Sequence, residues 1–216
     1  MHACAMFKWQ RPVTDPETAK RIPPGQVLTE KFPVLHFGRV PDYPDLSRWD
    51  LRVFGDVETP FTLNWTEFRQ LPVSETTLDI HCVTRWSKLD TTWQGVAMSH
   101  IAEVAQPRPG VRFVIFHAEY GFTSNVPLEV ALDPAALLAW NFDGKPLEAE
   151  HGYPLRAVVP GRYFWKSAKW LRGVEFRPAR DAVDVERGLA DGQLPELGPI
   201  RGEGRLDIAE DAEVPP

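Results

Sequence analysis

The run Asp79-Ile80-His81-Cys82-Val83-Thr84-Arg85-Trp86-Ser87 contains the internal cysteine of this chain; the only other cysteine, Cys4, lies near the N-terminus. A lone internal cysteine supplies neither a C-x-x-C redox pair nor a cysteine-rich zinc site. Its chemistry is then that of a single thiolate, either a nucleophile or one soft ligand to a metal held mainly by other groups. The plain alternative is a small buried apolar residue with no chemistry at all. Neighbouring side chains of an extended segment point to opposite faces, so His81 is poorly placed to act as a base for Cys82. Beyond Cys82 the chain turns polar and aromatic. That suits a strand delivering its thiol at its C-terminal end, beside a loop that touches a ligand.

A second group of residues begins at His151-Gly152-Tyr153-Pro154-Leu155-Arg156-Ala157-Val158-Val159 and continues through Tyr163-Phe164-Trp165-Lys166-Ser167-Ala168-Lys169-Trp170. Arg156 sits on an otherwise apolar strand, where an unpaired charge is costly, and so calls for an anionic partner. Lys166, Ser167 and Lys169 offer two ammonium groups, a hydroxyl and backbone N–H groups within one short turn. Such a set fits a phosphate. From His151 to Arg177 there are six basic residues (Arg156, Arg162, Lys166, Lys169, Arg172 and Arg177) and a single acid, Glu175. A basic island in a chain of net charge −6 points to a bound anion, or else to a solvated basic face.

These residues need elements to hold them. The 216 residues, 43% hydrophobic and 25% charged, fit one fairly large globular domain. The acidic balance argues against a nucleic-acid binder, and no apolar run is long enough for a membrane span. Residues 1–20 read as an N-terminal extension without the apolar core of a signal peptide, so the expected location is cytoplasmic. Residues 21–180 read as the folded domain. Residues 181–216, with ten acidic residues against three arginines, read as an acidic, loop-rich tail. Twenty-one prolines and fifteen glycines cut the chain into short pieces. Leu51–Phe54, Val111–Phe116 and Leu155–Val159 are strand-like, and Trp170, Arg172, Val174 and Phe176 share one face of a final strand. Leu63–Leu71, Ser99–Ala105 and Pro134–Trp140 are short helix candidates. The fold class is α+β, with many short strands, short helices and long irregular connections.

Four motifs in order carry a resemblance: Phe32-Pro33-Val34-Leu35-His36, the Cys82 run, Tyr120-Gly121-Phe122-Thr123-Ser124-Asn125-Val126-Pro127-Leu128, and the block from His151 to Phe176. From about Arg21 to Arg177 the chain resembles the molybdopterin-binding domain of the sulfite oxidase superfamily, in particular its short, single-domain bacterial members. The resemblance implies that fold, and a molybdenum–molybdopterin cofactor with Cys82 as the catalytic cysteine and metal ligand. It further implies cofactor contacts from Phe32, His36, His117, His151 and Arg156, and a phosphate end wrapped by Lys166, Ser167, Ala168 and Lys169. Oxygen-atom transfer with two electrons is the implied reaction, on a small or protein-borne donor or acceptor, with an external electron-transfer partner because no haem or iron–sulfur ligand set is present.

Departures from the family pattern matter too. Sulfite oxidases carry an arginine two residues before the histidine matching His36, where this chain has Val34. They carry another five residues after the ligand cysteine, where this chain has Ser87. Nothing resembles the family's immunoglobulin-like or haem domains. Sulfite oxidation is therefore expected to be slow or undetectable compared with reduction of an S-oxide or N-oxide, with the direction of transfer on the physiological substrate left open. Two other readings stand beside this one. The first is a cysteine hydrolase pairing Cys82 with His117 or His151; the second is a non-catalytic anion or pterin carrier for which the basic island suffices.

Overall fold

The computed structural model describes residues 15–36 and 38–178. The expected extension therefore lies mostly, and the acidic tail and Cys4 entirely, outside the described residues. In chain order the elements are helix α1 (Pro16–Lys20), strands β1 (Val27–Leu28), β2 (Asp50–Gly55) and β3 (Phe61–Asn64), helix α2 (Trp65–Arg69), strands β4 (Ser74–Cys82) and β5 (Trp86–Ala97) and helix α3 (Met98–Ala105). Then come β6 (Val111–Ala118), β7 (Thr123–Pro127), helix α4 (Leu128–Ala131), β8 (Leu137–Phe142), β9 (Lys145–Pro146), β10 (Arg156–Val158) and β11 (Leu171–Pro178), with single 3-10 turns between.

Two sheets form. One has the order β3-β2-β11-β6-β7, with β2 and β11 parallel and the other pairs antiparallel. The other runs β1-β5-β8-β10, with β4 along β5 and β9 along β8. The twelve-residue β5 is its spine: it pairs β4 along most of its length, β1 at its start and β8 at its end. At the β5–β8 crossing Gly95 is required, because a Cβ there would meet the Leu138 carbonyl oxygen at 2.1 Å. Helix α2 starts on a capping box in which Asn64 and Glu67 satisfy each other's backbone N–H groups.

Alternation along the strands sorts side chains between two cores. Val96, Leu138, Trp140, Ala157 and Val159 join the main core with the five-stranded sheet and helices α2 and α3. Trp93, Leu137, Ala139 and Val158 turn to the opposite face of the six-stranded sheet, where Ile80, Cys82, Trp86, Leu147 and Phe164 complete a second cluster. That second cluster holds the candidate site.

The strand expectations for Leu51–Phe54, Val111–Phe116 and Leu155–Val159 hold, as do the helices within Leu63–Leu71 and Ser99–Ala105. Pro134–Trp140 is not a helix. Its second half enters β8, buried on both faces, and such a strand shows a continuous apolar run that periodicity cannot separate from a buried helix.

Candidate cofactor site

Cys82 is the last residue of β4, and its partner across the ladder is Trp86, the first residue of β5. The turn between them is closed by the Arg85 N–H donating to the Cys82 carbonyl at 2.9 Å. The chain at β1 braces it: Gln26 Nε2 donates to the same carbonyl at 3.1 Å, and the Val27 N–H to the Arg85 carbonyl at 3.0 Å. Cys82 is buried, and Thr84 Oγ1 donates to its Sγ at 3.1 Å. His81 faces away, its Nδ1 within 2.8 Å of Ser87 Oγ, which in turn donates to Gln26 Oε1.

A cavity of about 400 Å³ opens over Cys82. Its walls are mostly aromatic: Phe32, Trp86, Phe122, Phe164, Trp165 and Trp170, with Leu35 and Val83 at exposed positions. Its polar lining comes from His36, Thr84, Ser167, Arg156 and Lys169 beside the Cys82 sulfur. Among the described residues no carboxylate lines it.

Arg156, 1% exposed, is held by two strong donations, from Nη1 to the His151 carbonyl and from Nη2 to the Ser167 carbonyl, both at 2.8 Å. Its guanidinium lies 4.2 Å from the Phe164 ring centroid and 5.3 Å from that of Trp93. Among the described residues no carboxylate pairs with it. Burial without a counter-charge pulls its pKa down to about 9. Lys169 Nζ donates to the carbonyls of Leu35 at 2.8 Å and Glu150 at 2.6 Å. Burial first, and Arg156 second, lower it to about 7. Lys169 is half-buried, less so than Arg156. Ser167 Oγ accepts from the Val159 N–H, and the Ala168 carbonyl from the Ala157 N–H, so this turn is welded to β10.

His151 is buried, and the Phe32 ring stacks flat on it at 3.9 Å. Its Nδ1 has no hydrogen-bond partner. Burial, then Lys169 and Arg156, push its pKa down to about 4. His36 lines the cavity from an exposed position, with Nδ1 3.0 Å from the Gly38 carbonyl. Cys82, Phe32, His36, Arg156, Ser167, Ala168 and Lys169 are thus brought together around the cavity, while His151 does not line it and sits behind them, stacked on Phe32 and holding Arg156 through its backbone carbonyl.

Two expected contacts are not. His117 lies on β6 in the other sheet, buried against Glu175 with Nε2 2.8 Å from the carboxylate, and does not line the cavity. Lys166 Nζ donates to the backbone carbonyl and Oδ1 of Asn125, both at 2.8 Å, because the 3-10 turn Phe164–Lys166 carries it to the β7 side. The basic island is consequently not one patch. Arg172 binds Asp50 and Glu119, Arg177 binds Glu175, and only Arg156 and Lys169 of the six reach the cavity. Val34 and Ser87 do not line it either, so their identity says less about the substrate than their sequence positions imply. Thr84, Phe122 and Phe164 do line it and were not anticipated. Thr84 is the one with a sequence signal, a hydroxyl two residues beyond the lone thiol.

The donor set can be tested against the implied group. Among the described residues no three His, Cys, Asp or Glu side chains converge to hold a metal ion. A metal at Cys82 would need most of its ligands from a non-protein group, as the paired sulfurs of a pterin dithiolene supply. Two underneutralised cations call for an anion. Aromatic walls suit a flat heterocycle. The residues fit molybdopterin.

A buried single thiol, an anion-seeking cation pair and aromatic walls over a two-sheet α+β scaffold define a cofactor-dependent oxidoreductase site. The chain belongs to the family described as oxidoreductase molybdopterin binding domain, whose model matches residues 37–182. It is 51% identical over 156 residues to the uncharacterized oxidoreductase YuiH of Bacillus subtilis, covering 72% of this chain and 79% of that one. It is 28% identical over 147 residues to the protein-methionine-sulfoxide reductase catalytic subunit MsrP of Campylobacter jejuni, covering 60% of this chain and 49% of MsrP. This chain thus spans about half the length of MsrP. Among solved structures, the sulfane dehydrogenase SoxCD of Paracoccus pantotrophus superposes with a TM-score of 0.61 at 21% identity, over 68% of this chain and 43% of that one. That likeness shows a shared fold of the sulfite-oxidase type. No helix among the described residues is long and apolar enough to cross a membrane.

Proposed function

We propose that this oxidoreductase uses a molybdenum–molybdopterin cofactor to reduce an S-oxide or N-oxide by two electrons, drawing them from an external partner. The observation that carries the reading is that the Cys82 sulfur and the Arg156–Lys169 cation pair open onto one cavity. When bound, the cofactor supplies oxygen-atom transfer coupled to two electrons.

The chain's own residues bind and orient. Cys82 offers its sulfur to the metal, and Thr84 donates to that sulfur. Phe32 and His36 would flank the pterin, with His151 stacked behind Phe32. Arg156, Ser167, Ala168 and Lys169 take the phosphate end, where an anion neutralises two cations that burial has made costly. The largely aromatic walls favour a neutral oxide with apolar substituents over a sulfite dianion. The similarity to MsrP, a protein-methionine-sulfoxide reductase subunit, supports the same direction of transfer. The hydrolase reading has less support: Thr84 is the side chain hydrogen-bonded to Cys82, and neither His117 nor His151 reaches the thiol.

Protein from a cofactor-competent host should carry about one molybdenum and one pterin per chain. With reduced viologen as donor it should turn over methionine sulfoxide or trimethylamine N-oxide, while sulfite oxidation stays below ~10⁴ M⁻¹s⁻¹, the low end of ordinary enzymatic efficiency. Cys82→Ser, with a harder ligand, should keep pterin and lose turnover. Full activity in Cys82→Ser, or a metal-free active wild type, would refute the assignment.

A further inference from the structure

We infer that Thr84 is a positioning residue that tunes the Cys82 sulfur, so that a metal bound there is reduced more readily than it would be by an unmodified thiolate. The inference rests on the proposed function, because it concerns the same sulfur.

The hydroxyl reaches Sγ at 3.1 Å, within the range of a good O–H···S contact, and Thr84 lines the cavity beside the thiol. Its place is set by the backbone. The turn is closed by Arg85 N–H to the Cys82 carbonyl and tied to the β1 chain through Gln26 and Val27. Arg85 takes a left-handed conformation with φ of 72°, which lets the chain reverse between β4 and β5 within three residues. The donor is therefore presented to the sulfur by a braced turn and does not need the cofactor to order it.

Its effect follows from the electronics of a thiolate ligand. A sulfur lone pair that accepts a hydrogen bond gives less electron density to a metal. Less donation destabilises the oxidised, electron-poor metal relative to the reduced one, and the potential rises. Oxide reduction is the direction that asks for electrons to be collected at the metal first. Thr84, which among the described residues carries the hydroxyl hydrogen-bonded to Sγ, thus acts on the electron-loading half of the reaction.

The experiment is a redox titration of loaded wild type, Thr84→Val and Thr84→Ser, with molybdenum and pterin content measured first. Valine keeps the branched shape and removes the donor; serine restores the donor. Thr84→Val should shift the reduction equilibrium about tenfold toward the oxidised form, roughly 30 mV for a two-electron couple. Thr84→Ser should stay within about threefold of wild type. The sulfur-to-metal absorption should move to longer wavelength in Thr84→Val and not in Thr84→Ser. Thr84→Ala, which removes the donor with a different loss of shape, must shift in the same direction as Thr84→Val. Equal potentials across equally loaded proteins, or opposite shifts for valine and alanine, overturn the role of Thr84 and leave the proposed function standing. An unloaded wild type overturns the proposed function itself.

Discussion

Arg156→Met removes the charged centre of the site while roughly conserving its apolar volume. In the native protein the guanidinium satisfies the His151 and Ser167 carbonyls at 2.8 Å each, tying together the two segments that flank the cavity. Each buried carbonyl left without a donor costs about 1–3 kcal/mol. Against that stands a gain: a cation buried without a counter-charge, already lowered to about 9, is removed. A net loss of about 3 kcal/mol for the cofactor-free protein is the resulting expectation, which for a chain of this size lowers Tm by roughly 6–12 °C. Cofactor binding suffers separately. Losing a charge-assisted contact to a buried phosphate costs about another 3 kcal/mol, close to a hundredfold in affinity. The assay is urea and thermal unfolding of the cofactor-free protein, followed by molybdenum and pterin content after identical purification. Arg156→Lys keeps the charge but not the two-pronged geometry, so it should recover part of the loading and little of the stability. Wild-type loading in a folded Arg156→Met protein would place the anion elsewhere and refute the argument.

Lys166→Met should load cofactor like wild type while losing about 1–3 kcal/mol of stability, because its ammonium serves Asn125 rather than the cavity; metal content and urea midpoints distinguish the two effects. His151, lowered to about 4, stays neutral in the folded protein while the unfolded chain takes up a proton below its ordinary 6.5. The unfolded state therefore holds more protons between pH 6.5 and 4, so the stability of cofactor-free protein should fall as pH drops through that window, and His151→Gln should remove that portion of the fall in pH-dependent unfolding. Gly95→Ala would drive a Cβ to 2.1 Å from the Leu138 oxygen and 2.6 Å from the Ala139 Cα; it should cost at least ~3 kcal/mol or abolish soluble expression, read by unfolding midpoint and yield.

Some of the site was legible because a strand's period of two is unforgiving. Cys82 at a strand end with His81 facing away, and a charge on the apolar strand at Arg156, both follow from alternation and the cost of burying a charge. What alternation does not give is the partner. Arg156 was expected to wait for an anion alone, yet it also holds two backbone carbonyls that only tertiary packing brings near. Lys166 and Lys169 look equivalent in sequence, but one 3-10 turn sends them to different sides, and no local preference marks that rotation. His117 sits on a strand like any other; which of two sheets a strand joins is a long-range fact. Ser87 shows the same limit. A position counted from Cys82 crosses a left-handed turn, and the count no longer tells which face the side chain takes. In β8, two buried faces erase the alternation that would have marked a strand.

The parallel pairing of β2 with β11, the last strand described, joins Arg52 to Gly173, far apart in the chain. A parallel partner from so far along the sequence cannot add until almost the whole domain has left the ribosome. Arg156 and Lys169 emerge at the same late stage, just before β11 seals the five-stranded sheet. During synthesis, then, Cys82 spends its time without the cations that would anchor an anionic cofactor beside it. An anionic group that needs Cys82, Arg156 and Lys169 together can be held only after the chain has been made through Lys169.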